Sequence, residues 1–553
     1  MGSAELTVAE AVGRALVRLG VDLVSGVIGS GNFHVTNAMV AAGARFVATR
    51  HEGGAATLAD AYSRQTGRPA GVSVHQGCGL TNAITGIGEA AKSRTPLVVV
   101  TAEAGDRRSN FWVDQDALAA SVGARPHRVT SAETCLDETV AAVAEAVHGR
   151  RTVVLNLPLS VQSEIVAADV AAELALLTLP PAPAALEPAP DDVARLTEAL
   201  RRSRRPVFVA GRGARSASAR DALVELAEAH GALLATSAVA KGLFAGDPWS
   251  LDVSGGFSTP LAAELISQAD LVVGWGCALN MWTMRHGRLI ADGATVVQVD
   301  DTLEAIGVHR ELTFGVHGDV AVTASATLAG SGRSEGWRTD ELRERIANES
   351  RWGDVPYDDA SSDHLIDPRR LCIELDAMLP EQRVVAVDSG NFMGYPSMFL
   401  DVPDEDGFCF TQAFQAIGLG LATAIGAALA RPDRLTVAAL GDGGALMGAA
   451  ELDTVVRLGL DMLVVVFNDE AYGAEVHHFG PGGHPLDLVV FDETDIAAIG
   501  RGYGFEAVTV RSPADLDAVR DWLEGPRKRP MLIDAKVTRD EAAWWLEEAF
   551  RGH

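Results

Sequence analysis

Cysteine is scarce in this chain. There are five in 553 residues, Cys78, Cys135, Cys277, Cys372 and Cys409, with no two in C-x-x-C spacing. That scatter argues against a disulfide framework or a cysteine-rich zinc site and fits a reducing compartment. Basic residues are also short, 46 Lys and Arg against 74 Asp and Glu, giving a formal net charge of −28. Nucleic acid and anionic membrane surfaces both need a basic footprint, so neither is expected as a partner. No apolar run approaches the length that crosses a bilayer. The opening residues, MGSAELTVAEAV, lack the basic segment and apolar core of a secretory signal. The expected location is the cytoplasm.

What is present describes an ordinary globular protein, with 48% hydrophobic and 22% charged residues. The length suggests roughly three domains. Strand-like apolar runs alternate with Ala-rich helical stretches in three α/β blocks, the pattern of doubly wound parallel sheets. The first block, 1–176, has strands expected at 23–28, 44–48, 70–74, 97–101 and 152–157. A Pro-rich linker, 177–190, reads TLPPAPAALEPAP in its main part. The second block, 191–330, has strands expected at 206–210, 233–236, 271–274 and 295–299. A polar, charge-rich linker, 331–365, precedes the third block, 366–553, with strands expected at 384–387, 435–440, 462–467 and 531–535. No short repeat is visible, although the first and third blocks read as distant structural cousins.

The most informative stretch lies in the third block. An apolar strand ends at Gly441-Asp442-Gly443, and Leu446, Ala450, Val455, Val456 and Leu460 follow at roughly helical spacing. A second apolar strand then delivers Asn468-Asp469, with 24 residues between Gly443 and Asn468. Parallel strands joined by a right-handed crossover put both polar ends on the carboxyl edge of one sheet, where α/β sheets bind ligands. Two hard oxygen ligands beside glycine N–H groups suit Mg²⁺ bound to a diphosphate.

The strand–GDG–helix–strand–ND unit resembles that of the thiamine-diphosphate-dependent 2-oxo-acid decarboxylases and carboligases. The resemblance implies three domains: pyrimidine-binding, central and diphosphate-binding. It implies thiamine diphosphate and Mg²⁺ as cofactors, the metal being held by Asp442, Asp469 and the backbone carbonyl of Ala471. Gly441, Gly443, Gly444 and Tyr472 are implied to contact the cofactor. The family's unit ends in Asn-Asn, so Asp469 adds a negative charge. A Ser often follows GDG in the family; Gly444 stands there, leaving backbone N–H groups to serve as donors. Asp388-Ser389-Gly390-Asn391 matches a diphosphate-facing loop, with Ser389 and Asn391 as ligands and Asp388 as structural. In Gln412–Gly420, Ala416 and Ile417 fall at the cofactor, Ile417 where a bulky residue wedges between its two rings; core filling is the plain alternative for Ile417.

A second motif agrees. R-H-E-G-G-A-A-T-L-A-D-A-Y-S-R at 50–64 is similar to the family's pyrimidine-domain signature. Glu52 would hold a proton against the aminopyrimidine ring, as acid–base catalysis by a positioned carboxyl requires. Taken alone, a Glu at a helix start only favours the positive end of the helix dipole. In the family this Glu serves a cofactor bound by another subunit, so a homodimer or homotetramer is implied.

The substrate side departs from the acetolactate synthase branch. His75-Gln76-Gly77-Cys78 stands where that branch has a Gly-Pro-Gly turn. His75 and Ser30 instead resemble benzoylformate decarboxylase, in which they contact the substrate carboxylate and relay protons; imidazole suits that task near neutral pH. Gln76, His34, His477 and His478 are weaker substrate-site candidates. FAD, bound by some relatives through the central domain, is possible but not favoured. Gly274–Trp282 lacks the expected Arg, and the turn at 209–214 is a weak signal. The expected activity is decarboxylation of a 2-oxo acid, carboligation with an aldehyde, or both. The alternatives are acetolactate synthase proper and a catalytically silent binding protein.

Overall fold

The computed structural model describes residues 5–546. Its frame is three six-stranded sheets, and every pairing between their strands is parallel. The first sheet runs Arg45–Ala48, Leu23–Gly26, Ala70–Val74, Leu97–Glu103, Thr152–Pro158, Arg125–Arg128. The third runs Phe408–Phe410, Arg383–Val387, Leu435–Gly441, Met462–Asn468, Met531–Lys536, Glu506–Val510. Numbered along the chain within each sheet, both read 2-1-3-4-6-5, so these two units share one topology. The middle sheet reads 3-2-1-4-5-6 on the same basis, another doubly wound order, with its reversal between Pro206–Ala210 and Leu271–Trp275. Central strands such as Val207, Val209, Val272 and Val273 are buried on both faces, as parallel sheets under helices require.

Five strands were not expected from sequence: Arg125–Arg128, Ser250–Val253, Phe314–His317, Phe408–Phe410 and Glu506–Val510. All five are sheet edges. Four are only partly buried and lack a continuous apolar run; Phe408–Phe410 is buried but only three residues long.

The segment after Gly443 is not the single amphipathic helix expected. It breaks into Asp442–Met447, a 3₁₀ turn Ala449–Glu451 and Leu452–Leu458. Gly448 sits at the break, so Leu446 points outward and is 43% exposed, whereas Val455 is buried. Within 331–365, helix Asp340–Glu349 buries Leu342 and Ile346 in the central unit's core.

The first and third units share a core. Helix Glu52–Thr66 lies on helix Gly420–Ala430, and Leu58, Ala61, Ala424 and Ile425 belong to one buried cluster. The contact depends on Gly426, where an added methyl would stand 2.2 Å from the Leu58 carbonyl oxygen. Among the described residues no helix is long and apolar enough to cross a membrane.

Candidate active site

The carboxyl edge of the third sheet gathers the acidic groups. Strand Leu435–Gly441 delivers Asp442, and the adjacent strand Met462–Asn468 delivers Asp469. Burial raises the Asp442 carboxyl to about 6. Burial, and then the Asp442 charge, push Asp469 to about 7. Two carboxylates that repel each other, Asp442 buried and Asp469 half-buried, are a site that a divalent cation would relieve. The described residues contain no cluster of three metal-ligating side chains, so this pair needs further oxygen ligands. The Ala471 N–H donates to Asp469 Oδ1 at 3.2 Å, and Arg539 Nη1 to the Asp469 carbonyl at 2.9 Å, fixing the turn.

Other expected residues line the same edge. Asn391 packs on Gly473, where an added methyl would also meet Asp469 Oδ2 at 2.4 Å. Asn391 Oδ1 is buried without a partner. Turning the amide over presents an N–H₂ suited to a phosphate oxygen. Tyr472 lies across Gly443, whose added methyl would stand 2.6 Å from Tyr472 Cε1, and packs edge-on against Phe491. Asp388 is fully buried, and burial raises its carboxyl to about 6 even though it accepts N–H bonds from Ser389, Gly418 and Leu419. Gly444 has a reason that sequence did not show: an added methyl would stand 2.3 Å from Asp388 Oδ2, so a Ser would collide there. Ile417 and Ala416 are only half-buried, and Ile417 is not among the residues of the neighbouring core clusters.

The first unit holds the other group. Glu52 opens helix Glu52–Thr66, capped by His51 Nδ1 accepting the Gly53 N–H at 3.0 Å. Asn82 Nδ2 donates to Glu52 Oε2 at 3.0 Å. His75 Nε2 lies 3.4 Å from Ser30 Oγ, and its ring meets Phe111 edge-on. Both side chains, His75 and Glu52, flank Gly79, where an added methyl would stand 3.2 Å from His75 Cβ and 3.5 Å from Glu52 Oε1. Gln76 is buried with Oε1 against Gly31.

Family models for thiamine pyrophosphate enzymes match all three units: the N-terminal TPP-binding domain at 6–122, the central domain at 193–327, and the C-terminal TPP-binding domain at 388–535. The chain belongs to the thiamine pyrophosphate enzyme family. It is 28% identical to sulfoacetaldehyde acetyltransferase of Rhodobacter capsulatus, over 99% of this chain and 96% of that one. It is also 28% identical to an acetolactate synthase large subunit of Mycobacterium tuberculosis, over 84% of each. Among solved structures, the thiamine diphosphate-dependent 4-hydroxybenzoylformate decarboxylase of Rhodococcus jostii RHA1 superposes with a TM-score of 0.80. The two are 21% identical, and the match covers 97% of this chain and 100% of that one, a likeness of fold.

In this thiamine pyrophosphate enzyme the weaker histidines lie on two helices. His34, on helix Phe33–Ala41, is exposed and meets Phe33 edge-on. His477 and His478 lie on helix Gly473–Phe479 beyond the acidic turn, His478 against Phe479. Sequence reading missed three buried polar residues around the site. Gln115 accepts the Gly77 N–H at 3.1 Å and donates to Ala102 and Asn156, fixing the turn after His75. Glu89 and Glu451 reach loops of the opposite unit. The available signal was a lone acid within a small, apolar stretch, G-I-G-E-A-A and G-A-A-E-L.

Proposed function

We propose that this thiamine pyrophosphate enzyme decarboxylates a 2-oxo acid, with Mg²⁺ held by Asp442, Asp469 and the Ala471 carbonyl. Ser389, Asn391, Gly441, Gly443, Gly444 and Tyr472 line the diphosphate end, and Ala416 and Ile417 meet the rings. When bound, thiamine diphosphate supplies the nucleophilic carbon and the electron sink. Glu52 holds a proton at the aminopyrimidine, and Ser30 and His75 receive the substrate carboxylate and move protons to or from the product. The observation that carries the reading is the Ser30–His75 contact at 3.4 Å on the same Gly79 flank as Glu52. The test is anaerobic: a panel of 2-oxo acids is offered with Mg²⁺ and thiamine diphosphate, and CO₂ release is measured with and without aldehyde acceptors. Absence of Mg²⁺-dependent cofactor binding would sink it.

Transfer of the acyl fragment to an acceptor is the second reading, favoured by the acetyltransferase and acetolactate synthase relatives. The acceptor arm of the same assay separates the two. His75→Ala is expected to lower turnover by about 10²-fold, the usual contribution of a positioned proton carrier. Cofactor affinity should stay within a few-fold, as titration calorimetry would show.

Packing in the central unit supports a reading without FAD. At the strand-order reversal an added methyl on Gly211 would stand 2.3 Å from the Gly276 carbonyl, and one on Gly276 would stand 2.5 Å from Gly213 Cα. The two turns therefore close on each other, and Arg212 Nη1 turns away to the Ser93 carbonyl at 2.5 Å. Purified protein should show no visible flavin absorbance. Exposed apolar side chains near both groups, Phe111, Phe414, Leu446 and Met447 at 40–58% exposure, support a homodimer or homotetramer with sites between subunits. Sedimentation at micromolar concentration should show no monomer.

A further inference from the structure

Glu451 is 3% exposed, and its Oε1 accepts both the Arg50 and His51 N–H groups, at 2.9 and 3.0 Å. These two amides immediately precede Glu52. In the other direction Glu89, fully buried, accepts the Ala413 N–H on Oε1 at 3.0 Å and the Phe414 N–H on Oε2 at 2.6 Å. Those amides precede Ala416 and Ile417. Arg50, His51, Ala413 and Phe414 are themselves exposed.

The two arrangements are topologically equivalent. Glu89 lies on helix Cys78–Lys92, after the third strand of the first unit, and Glu451 ends the turn Ala449–Glu451, after the third strand of the last. Each reaches the loop after the second strand of the opposite unit, Arg45–Ala48 or Phe408–Phe410. An arginine repeats the exchange: Arg64 donates to the Phe410 carbonyl at 3.0 Å, and Arg457 to the Ala48 carbonyl, each the last residue of its strand. Glycines admit both contacts, since an added methyl on Gly54 would meet Glu451 Oε1 at 2.6 Å and one on Gly88 would meet Phe414 at 2.8 Å.

The second loop is anchored twice. Beyond Ile417, the Gly418 and Leu419 N–H groups donate to Asp388, so Gln415–Ile417 bridges two buried carboxylates. Gln415 sits at φ 59°, a left-handed conformation that persists only where the surroundings impose it. Burial alone would raise the Glu89 carboxyl, but Arg64 and the two N–H groups hold it below the ordinary range. Charge-assisted bonds of this kind are the stronger ones.

We propose that Glu451 and Glu89 are reciprocal positioning residues, each held by one unit to set the cofactor-facing loop of the other. Glu451 sets the entry to Glu52, and Glu89 sets the bridge that carries Ile417. The consequence for the cofactor rests on the roles given above to Glu52 and Ile417; the clamp itself does not.

Amide hydrogen exchange on the full chain without cofactor tests the clamp. Glu451→Ala should speed exchange at residues 50–53 at least tenfold and leave 412–417 unchanged; Glu89→Ala should do the reverse. The Gln variants, which keep the side-chain shape, serve if Ala disrupts folding, and Ser93→Ala controls for disturbance of the buried Arg64 cluster. Equal loosening of both loops, loosening confined to the variant's own unit, or unchanged protection would overturn the proposal. In protein loaded with thiamine diphosphate and Mg²⁺, exchange of the cofactor C2 proton should slow at least tenfold in the Glu451 variant. Unchanged C2 exchange with loosened 50–53 amides would leave the clamp and remove its effect on Glu52. Failure of wild type to bind the cofactor would instead overturn the function proposed above.

Discussion

Glu52→Gln is expected to lower turnover by about 10²–10⁴-fold, the range over which a positioned acid–base group contributes. Glutamine keeps the shape, and its side-chain oxygen can still accept the Asn82 Nδ2 bond. The helix start is unaffected, because the cap is His51 rather than Glu52. What is lost is a carboxyl that can hold and return a proton. The expected signature is therefore a fall in kcat, with Mg²⁺-dependent cofactor affinity changed by no more than a few-fold. Steady-state kinetics and titration calorimetry read these separately, and exchange of the cofactor C2 proton reports the first proton transfer directly. Unchanged turnover in Glu52→Gln would remove Glu52 from the chemistry.

Twelve interior strands were legible because a strand buried on both faces must be a continuous apolar run, as Pro206–Ala210 and Met462–Asn468 are. Of the edges only Arg45–Ala48 was legible: one-sided burial leaves sequences such as Arg125–Arg128 without an apolar signature, and Phe408–Phe410, though buried, is only three residues long. The acids at strand ends were visible because short motifs carry them: Asp442 in GDG, Asp469 in ND, and Glu52 in RHEGG. Gly444 was read as a missing hydroxyl, yet its cause is the Asp388 carboxylate, 56 residues away in sequence and visible only once the strands are paired. Glu89 and Glu451 were illegible for the same reason, each having its partners more than 300 residues distant. A buried acid gives no periodic signal, and only the fold supplies the N–H groups that justify it.

The acidic pair gives the other large effect, and its size depends on whether the cation is present. In protein without metal, Asp442 and Asp469 hold their protons to about 6 and about 7. In the unfolded chain an Asp ionises near about 4. Between those values the folded state binds more protons, so stability without metal falls as pH rises from about 4 to about 7. Asp469→Asn removes one of the repelling charges. It should raise the stability of metal-free protein at pH 8 by on the order of 2 kcal/mol, discounted from the about 1.4 kcal/mol that each tenfold change in acidity represents. The gain should vanish below about pH 3, where both carboxyls are protonated in the folded and the unfolded state alike. With Mg²⁺ and thiamine diphosphate bound, the cation offsets the repulsion, so the gain from Asp469→Asn should shrink. Ligand at about a hundred times its Kd stabilises the wild type by about 2.7 kcal/mol, and Asp442→Ala should abolish that increment by deleting a ligand and freeing none to replace it. Metal affinity should also rise with pH through 6–7, as protons cease to compete for the same oxygens. Thermal melts at pH 5 and pH 8, with and without the two ligands, distinguish these outcomes. A metal-free Asp469→Asn variant no more stable than wild type at pH 8 would show that the two carboxylates do not share one charge-starved site.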